Sequence, residues 1–276
     1  MGQIVIHKPP QKIVPISVIL IDWNCRDRYC ALETLSQQTV PRNQYELLWI
    51  DYFSKVPERA IALADKVITM NEQPTDQIAK QKAYNTGLLF ASGQIICIPD
   101  SDAWFPHDFI GRIMEAFLFV SGEEPLAKVV FVHEYRTETD YPGKVENIRQ
   151  YAWEEFKTNY GACVVFPSRL AIAIGGYDEH EQMVNGACGP YELAWRLINF
   201  GIQEEWVNIE KAVIYHFNHP GSNAGGNNNP SIKAGHGALA VESLQGGRLL
   251  PLVENVGIKH RRLSSRRMET TLRNIL

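Results

Sequence analysis

Closely spaced cysteine pairs are missing from this chain. Its five cysteines, Cys25, Cys30, Cys97, Cys163 and Cys188, are odd in number and scattered. That excludes a disulfide framework and a zinc site of C-x-x-C type, and it fits a reducing, cytoplasmic setting in which they act as small apolar core residues. Long apolar runs are missing as well. The longest early one, IVPISVILI, carries Pro15 and Ser17 and is about half the ~20 residues that a membrane helix needs, so it predicts a buried strand. No signal peptide is evident. A cationic excess is also lacking: 27 Lys+Arg against 31 Asp+Glu leave a net charge of −4. With no basic groove interleaved with aromatics in the first 250 residues, nucleic acid is not an expected partner.

The composition that remains is that of a globular chain, 276 residues long and 45% hydrophobic, enough for a sizeable core in one large α/β domain or two small ones. Strand-like and helix-like patterns alternate from residue 13 to about 215. ISVILI is continuous and β-branched, RYCALETLSQQ spaces Tyr29, Leu32 and Leu35 on one helical face, and YELLWID is again a strand. PERAIALADK follows with Pro57 suited to a first helical turn, and TDQIAKQKAYNTGLLFASG predicts a helix from a Thr75 cap to a Gly93 stop. Such alternation implies a mostly parallel, Rossmann-like sheet flanked by helices. Ligands of these sheets collect at the carboxyl ends of the strands, where Asp22, Asp51 and Asp100 fall.

The chemistry centres on GQIICIPDSDAWFP, where an apolar run ends in two acids. In an extended chain Asp100 and Asp102 point the same way with Ser101 turned aside, giving a hard-oxygen site for a divalent cation that could in turn hold a diphosphate. The plain alternative is a solvated Asp100 and an Asp102 that starts a turn. KAVIYHFNHPG places His216 directly after an apolar strand, where an imidazole could complete a metal shell; a carboxylate–imidazole mixture suits Mn²⁺ better than Mg²⁺. GPYELAWRLINFG reads as an amphipathic helix with Pro190 at its start and Gly201 at its stop. Glu192 near its N-terminus could accept a proton from a sugar hydroxyl, or simply pair with Arg196 one turn on.

Taken in order, ISVILIDWNCRDR, LETLSQQTVPRNQYELLWIDYFS, AYNTGLLFASGQIICIPDSDAWFP, IGGYDE and GPYELAWRL resemble the family 2 glycosyltransferases of GT-A fold over roughly residues 13–220. The most specific element is the Asp-x-Asp after N-x-G-L-x-x-A-x-G. The later part, GPYELAWR followed by IYHFNHPG, is similar to chondroitin-polymerase-like and polypeptide GalNAc-transferase-like enzymes. The resemblance implies one GT-A domain over 13–220, with a nucleotide-binding half (13–105) and an acceptor-binding half (106–220). It implies a nucleotide-sugar donor of UDP type, a Mn²⁺ or Mg²⁺ cofactor, and transfer with inversion to a hydroxyl of a glycan or lipid-linked acceptor, as in polysaccharide biosynthesis. It puts Asp102 and His216 on the metal, Asp100 near the metal or donor ribose, Asp51 with Trp23 around the base, and Asp22, Asn85 and Ser101 at the donor. Glu192 is then the base. The chain departs from the family pattern in having Tyr52 after Asp51, Tyr84 before Asn85, and Gly189-Pro190 where many relatives carry Glu-Asp; Lys82 is the candidate substitute for the missing arginine at the diphosphate.

Two other readings stay open. A non-catalytic scaffold of the same fold would bind nucleotide-sugar or glycan without turnover. A sugar nucleotidyltransferase would share the core, although DWNCRDR does not supply the Gly-rich loop that wraps a triphosphate. Residues 221–276 form a separate tract. HPGSNAGGNNNPSIKAGHG is a long Gly- and Asn-rich loop, either a lid or disordered, and AGHGALA within this tract mimics a dinucleotide fingerprint but follows no strand. Beyond it KHRRLSSRR, with five strong bases in nine residues, is expected outside the core, either as a solvated end or resting on the anionic inner face of a membrane.

Overall fold

The computed structural model describes residues 4–7, 14–27, 29–53, 55–117, 125–141, 147–185, 189–208, 210–219, 226, 228, 231–233, 239, 242 and 245–264. The strands are β1 (Val5–Ile6), β2 (Ile16–Asp22), β3 (Tyr45–Asp51), β4 (Lys66–Thr69), β5 (Ile95–Pro99), β6 (Lys128–Phe131), β7 (Glu134–Asp140), β8 (Glu155–Lys157), β9 (Cys163–Pro167), β10 (Gln203–Trp206) and β11 (Ile214–Asn218). The helices are α1 (Cys30–Leu35), α2 (Glu58–Leu63), α3 (Lys80–Phe90), α4 (Phe109–Ala116), α5 (Ser168–Ala173), α6 (Tyr191–Asn199) and α7 (Val256–Leu263).

Eight strands form one sheet in the order β1-β4-β3-β2-β5-β9-β6-β10. β4, β3, β2 and β5 run parallel, as do β6 and β10, while β9 runs antiparallel between β5 and β6. The strand sequences explain why this sheet lies inside. Along β2, Ile16, Val18 and Leu20 enter the core on one face, and Ile19 and Ile21 enter the core on the other. An element apolar on both faces must be covered twice, and the helices do this.

β7, β8 and β11 make a second, three-stranded sheet in the order β11-β7-β8. Its two faces differ by simple alternation. Tyr215 and Phe217 point into an aromatic cluster with Trp153 and Tyr151, while His216 between them faces the other way. This small sheet carries half of the site.

Two expectations are corrected. α3 begins at Lys80 instead of at a Thr75 cap. The amide of Ile78 donates to Asn185 Oδ1 (2.8 Å) and that of Ala79 to the Tyr52 hydroxyl (3.2 Å). Tertiary partners therefore satisfy the amides that a cap at Thr75 would have served, and Thr75 only closes a local turn with Gln77. The first part of the basic segment, expected outside the core, is docked on it as α7. Ile258 is fully buried beside Gly176, and the Arg261 guanidinium donates to Leu88 O (3.0 Å).

Candidate functional site

β5 is fully buried and stops at Pro99, which has no N–H to continue a ladder. The chain then turns. The amide of Asp100 donates to Ala162 O (2.8 Å), and the Ser101 hydroxyl donates to Ile21 O (2.9 Å), tying the turn to the end of β2. Asp100 and Asp102 do reach the same crevice, by way of this turn instead of the extended alternation expected. Two residues further, Trp104 and Tyr215 exchange backbone hydrogen bonds (2.7 and 3.0 Å) in an antiparallel bridge. This bridge couples the two sheets and sets His216 beside Asp102, although 114 positions separate them in the chain.

His216 Nε2 lies 3.3 Å from Asp102 Oδ1, His219 Nε2 3.3 Å from Asp102 Oδ2, and Arg26 Nε 3.4 Å from the same Oδ2. One atom from each of Asp102, His216 and His219 falls within 4.8 Å of the others. A hard carboxylate with two borderline imidazoles at this spacing fits a first-row divalent cation such as Mn²⁺. His219 escaped the sequence reading; its signal was the second imidazole in HFNH, three residues after His216.

The electrostatics follow from crowding. Burial alone would raise the Asp102 carboxyl, but His216, His219 and Arg26 together hold it well below the usual range. For His216 burial pulls the pKa down, and the Asp102 carboxylate overcomes this to raise it. For Asp100 burial first and the neighbouring Asp102 second outweigh the pull of His216 and Lys80 and push it up to about 7.

These residues close one end of a crevice of about 220 Å³, whose other wall is made by Asp22, Trp23, Tyr29 and Trp49 at the ends of β2 and β3. Burial raises Asp22 to about 6. Basic groups enter from three elements. Lys80 at the start of α3 lies over the Trp23 ring (4.1 Å), Arg26 follows β2, and Arg136 comes from β7, where Glu134 accepts from its Nε at 2.7 Å. Burial lowers the Lys80 pKa, against the pull of Asp100 and Asp102.

Of the expected site residues, Asp22, Trp23, Asp100, Ser101, Asp102 and His216 line this crevice. Asp51 pairs in register with Asp22 but is buried beneath it, where its Oδ2 accepts from the amide of Lys55. Lys82 is not among the lining residues; Lys80, two positions earlier, is. Asn85 is structural in its contacts. Its amide donates to Tyr177 O and Glu179 Oε1, and its Oδ1 accepts from Tyr177 N, fixing the turn at Gly176. Gly176 has φ +67°, and a Cβ there would come within 2.6 Å of Asn85 Oδ1.

Glu192 lies apart from the crevice residues. Its side chain is shut from solvent and forked by Arg196, with Nε to Oε1 at 2.6 Å and Nη2 to Oε2 at 3.1 Å. Arg248 and the amide of Asp178 also reach it. It is not among the residues lining the crevice. With both oxygens engaged by guanidinium groups, Glu192 forms the buried ion pair with Arg196 that the sequence offered beside the base role.

A second cavity of about 570 Å³ opens between Asn159, Tyr160, Tyr191, Trp195 and Gln245. Glu134 links residues of the two cavities, accepting from Asn159 Nδ2 (2.9 Å) as well as from Arg136. The Gly- and Asn-rich loop falls largely outside the described residues. Within it, Gly226 packs on Arg26, Asn228 donates to Asp27 Oδ1 (2.9 Å), and Ile232 is buried in the core.

A mostly parallel sheet covered by helices, with a crevice of carboxylates, imidazoles and cations at its strand ends, is the architecture of the GT-A fold. Residues 29–162, just under half of the chain, match the family model described as Glycosyl transferase family 2. Solved structures with the same fold include the mannosyltransferase PcManGT from Pyrobaculum calidifontis in complex with GDP-Man and Mn²⁺ (18% identity, TM-score 0.51, covering 76% of this chain and 59% of that one). Others are S. aureus TarS 1–349 with UDP-GlcNAc (14%, 0.52, covering 76% and 60%) and GalNAc-T7 with UDP, GalNAc and Mn²⁺ (13%, 0.51, covering 75% and 44%). In each case this chain spans less than two thirds of the matched chain's length. No curated protein matches the sequence at a significant level. No helix among the described residues is long and apolar enough to cross a membrane.

Proposed function

We propose that this protein transfers a sugar from a UDP-sugar to a hydroxyl of a glycan or lipid-linked acceptor in a metal-dependent reaction. The observation that carries the reading is the meeting of Asp102, His216 and His219 inside the crevice at the strand ends. These three residues would hold Mn²⁺ or Mg²⁺, which when bound supplies positive charge to the leaving diphosphate. Arg26, Lys80 and Arg136 add fixed positive charge to the same crevice, in a setting where burial makes each interaction stronger than in water. Trp23 and Tyr29 offer aromatic faces to the nucleoside, and Asp22 a carboxylate.

For the acceptor, Tyr191 and Trp195 supply flat apolar faces and Asn159 and Gln245 hydrogen-bonding groups, a combination suited to a pyranose ring with its hydroxyls. Transfer with inversion is the stereochemistry carried by the family resemblance, and the enclosure of Glu192 by Arg196 weighs against Glu192 as its base. An anomeric assignment of the product by NMR would read it directly.

The experiment is a screen of nucleotide-sugars for thermal stabilisation with and without Mn²⁺, followed by product analysis. A ligand that binds only the folded state raises the melting temperature, so a UDP-sugar is expected to do so only with the metal present. The loss of the acidic pair at Gly189-Pro190 and the sequestering of Glu192 favour a second reading, a scaffold that binds the donor without turnover. Binding without discharge of the sugar to any acceptor, water included, would select it.

A further inference from the structure

The segment that docks α7 on the core leaves an apolar face uncovered. Leu250, Leu252, Val253, Val256 and Leu263 are all exposed, and Val256 at 78% is the most exposed large apolar side chain among the described residues, with Leu263 at 60%. Isolated exposed leucines are ordinary, but five within the segment 250–263 form a cluster. The helix sorts its residues by face. Ile258 points inward, and Val256, Lys259, His260 and Leu263, at helical spacings of three and four, share the outward face. That outward face is therefore apolar at both ends and basic between them.

Of the acids near it, Glu179 accepts from the Asn255 side chain at the start of the helix. Glu254 is neutralised by Arg262 (2.8 Å), and Arg261 is turned inward onto Leu88 O. Lys259 is exposed, and the sequence continues with Arg266 and Arg267. A protein partner recognised by this surface would need its own apolar patch ringed with acids. An anionic bilayer provides both at once, lipid phosphates at the level of the lysine and acyl chains just below. Long basic side chains bury their stems along apolar surface while the heads stay at the phosphates.

We propose that this face, with Val256 and Leu263 at its two ends and Leu252 and Val253 beside them, is an interfacial docking surface for an anionic lipid bilayer. Val256 and Leu263 enter the headgroup–acyl boundary, and Lys259 between them supplies the preference for negative lipid. The inference goes beyond the transfer reaction and does not depend on it, because partition to vesicles is measured without metal or donor.

The test is co-sedimentation of the full chain with phosphatidylcholine vesicles, with and without phosphatidylglycerol. The parent is expected to partition at least about tenfold more strongly when phosphatidylglycerol is present. The double variant Val256→Glu, Leu263→Glu should lose about tenfold or more of that partition, with its melting temperature unchanged because both side chains are outside the core. Lys259→Glu should reduce binding to the anionic vesicles and leave the weak binding to neutral ones as it was. Raising salt should weaken binding without abolishing it. No partition of the parent to anionic vesicles, equal partition of parent and double variant, or complete loss in salt would each overturn the proposal. Concentration-dependent self-association that the double variant abolishes would overturn it too, assigning the face to a second copy of the chain.

Discussion

Two carboxylates of this protein, Asp102 and Glu192, each sit among cationic groups, yet they do different work. Glu192 is fully enclosed, and both of its oxygens are taken by a guanidinium fork one helical turn away, with a second arginine and a backbone amide behind it. Asp102 keeps part of its surface open to the crevice, and its neighbours are two imidazoles and an arginine at 3.3–3.4 Å, longer than a good charge-assisted hydrogen bond. The first arrangement is closed and holds α6 to the turn at Gly176. The second is a cluster whose donor atoms converge on a point and leave one side accessible, which is what a ligand site needs. A carboxylate beside an arginine thus says little until the partner's geometry is known.

The largest effect that would sharpen this contrast is on turnover. Asp102→Ala should reduce sugar transfer by about a thousandfold or more while leaving the fold intact, since it removes a ligand and not a packing element. Normal turnover in that variant would dissolve the distinction. Glu192→Ala should act in the opposite currency. Leaving Arg196 buried without its partner costs about 3–5 kcal/mol of stability, seen as a large fall in melting temperature. Glu192→Gln, which preserves the shape, should keep turnover near that of the parent, and abolished turnover with intact donor affinity would return Glu192 to the role of base.

A smaller change is expected on the acceptor side. Trp195→Ala should raise the acceptor KM by about tenfold through the loss of one stacking face, with donor binding unaltered; an unchanged KM would remove this cavity from the acceptor path. The smallest concerns Asp51, whose folded-state pKa is raised to about 7 by burial and then by Asp22. Between its ordinary value near 3.8 and about 7 the folded state holds more protons than the unfolded, so stability falls as pH rises through that window. Asp51→Asn should flatten that fall by a few degrees of melting temperature at alkaline pH and change little below pH ~4. A parent curve that rises with pH across the window would contradict it.

Much of the frame was legible in the sequence because it depends on local pattern. Continuous β-branched runs, such as ISVILI, have few options other than buried parallel strands, and the acids at their ends mark the ligand side. Asp102 and His216, singled out from type and strand position, meet in the structure, whereas the Trp104–Tyr215 bridge that brings them together was not legible, since backbone pairing between distant segments leaves no periodic trace. Lys82 and Lys80 could not be separated by spacing alone; the start of α3 decides between them, and tertiary partners of Ile78 and Ala79 set that start. Glu192 stayed open between base and ion pair because an N-terminal helical acid has the same sequence signature whether it faces a substrate or a buried arginine.

The central claim is that Asp102, His216 and His219 act together on one divalent cation that is required for donor binding. Calorimetric titration of UDP into the parent and into Asp102→Ala, His216→Ala and His219→Ala, each with and without Mn²⁺, tests it most directly. The account predicts tight binding to the parent only when Mn²⁺ is present, and loss of that metal dependence in all three variants. UDP binding that ignores Mn²⁺ in the parent, or variants that bind the pair as the parent does, would contradict it.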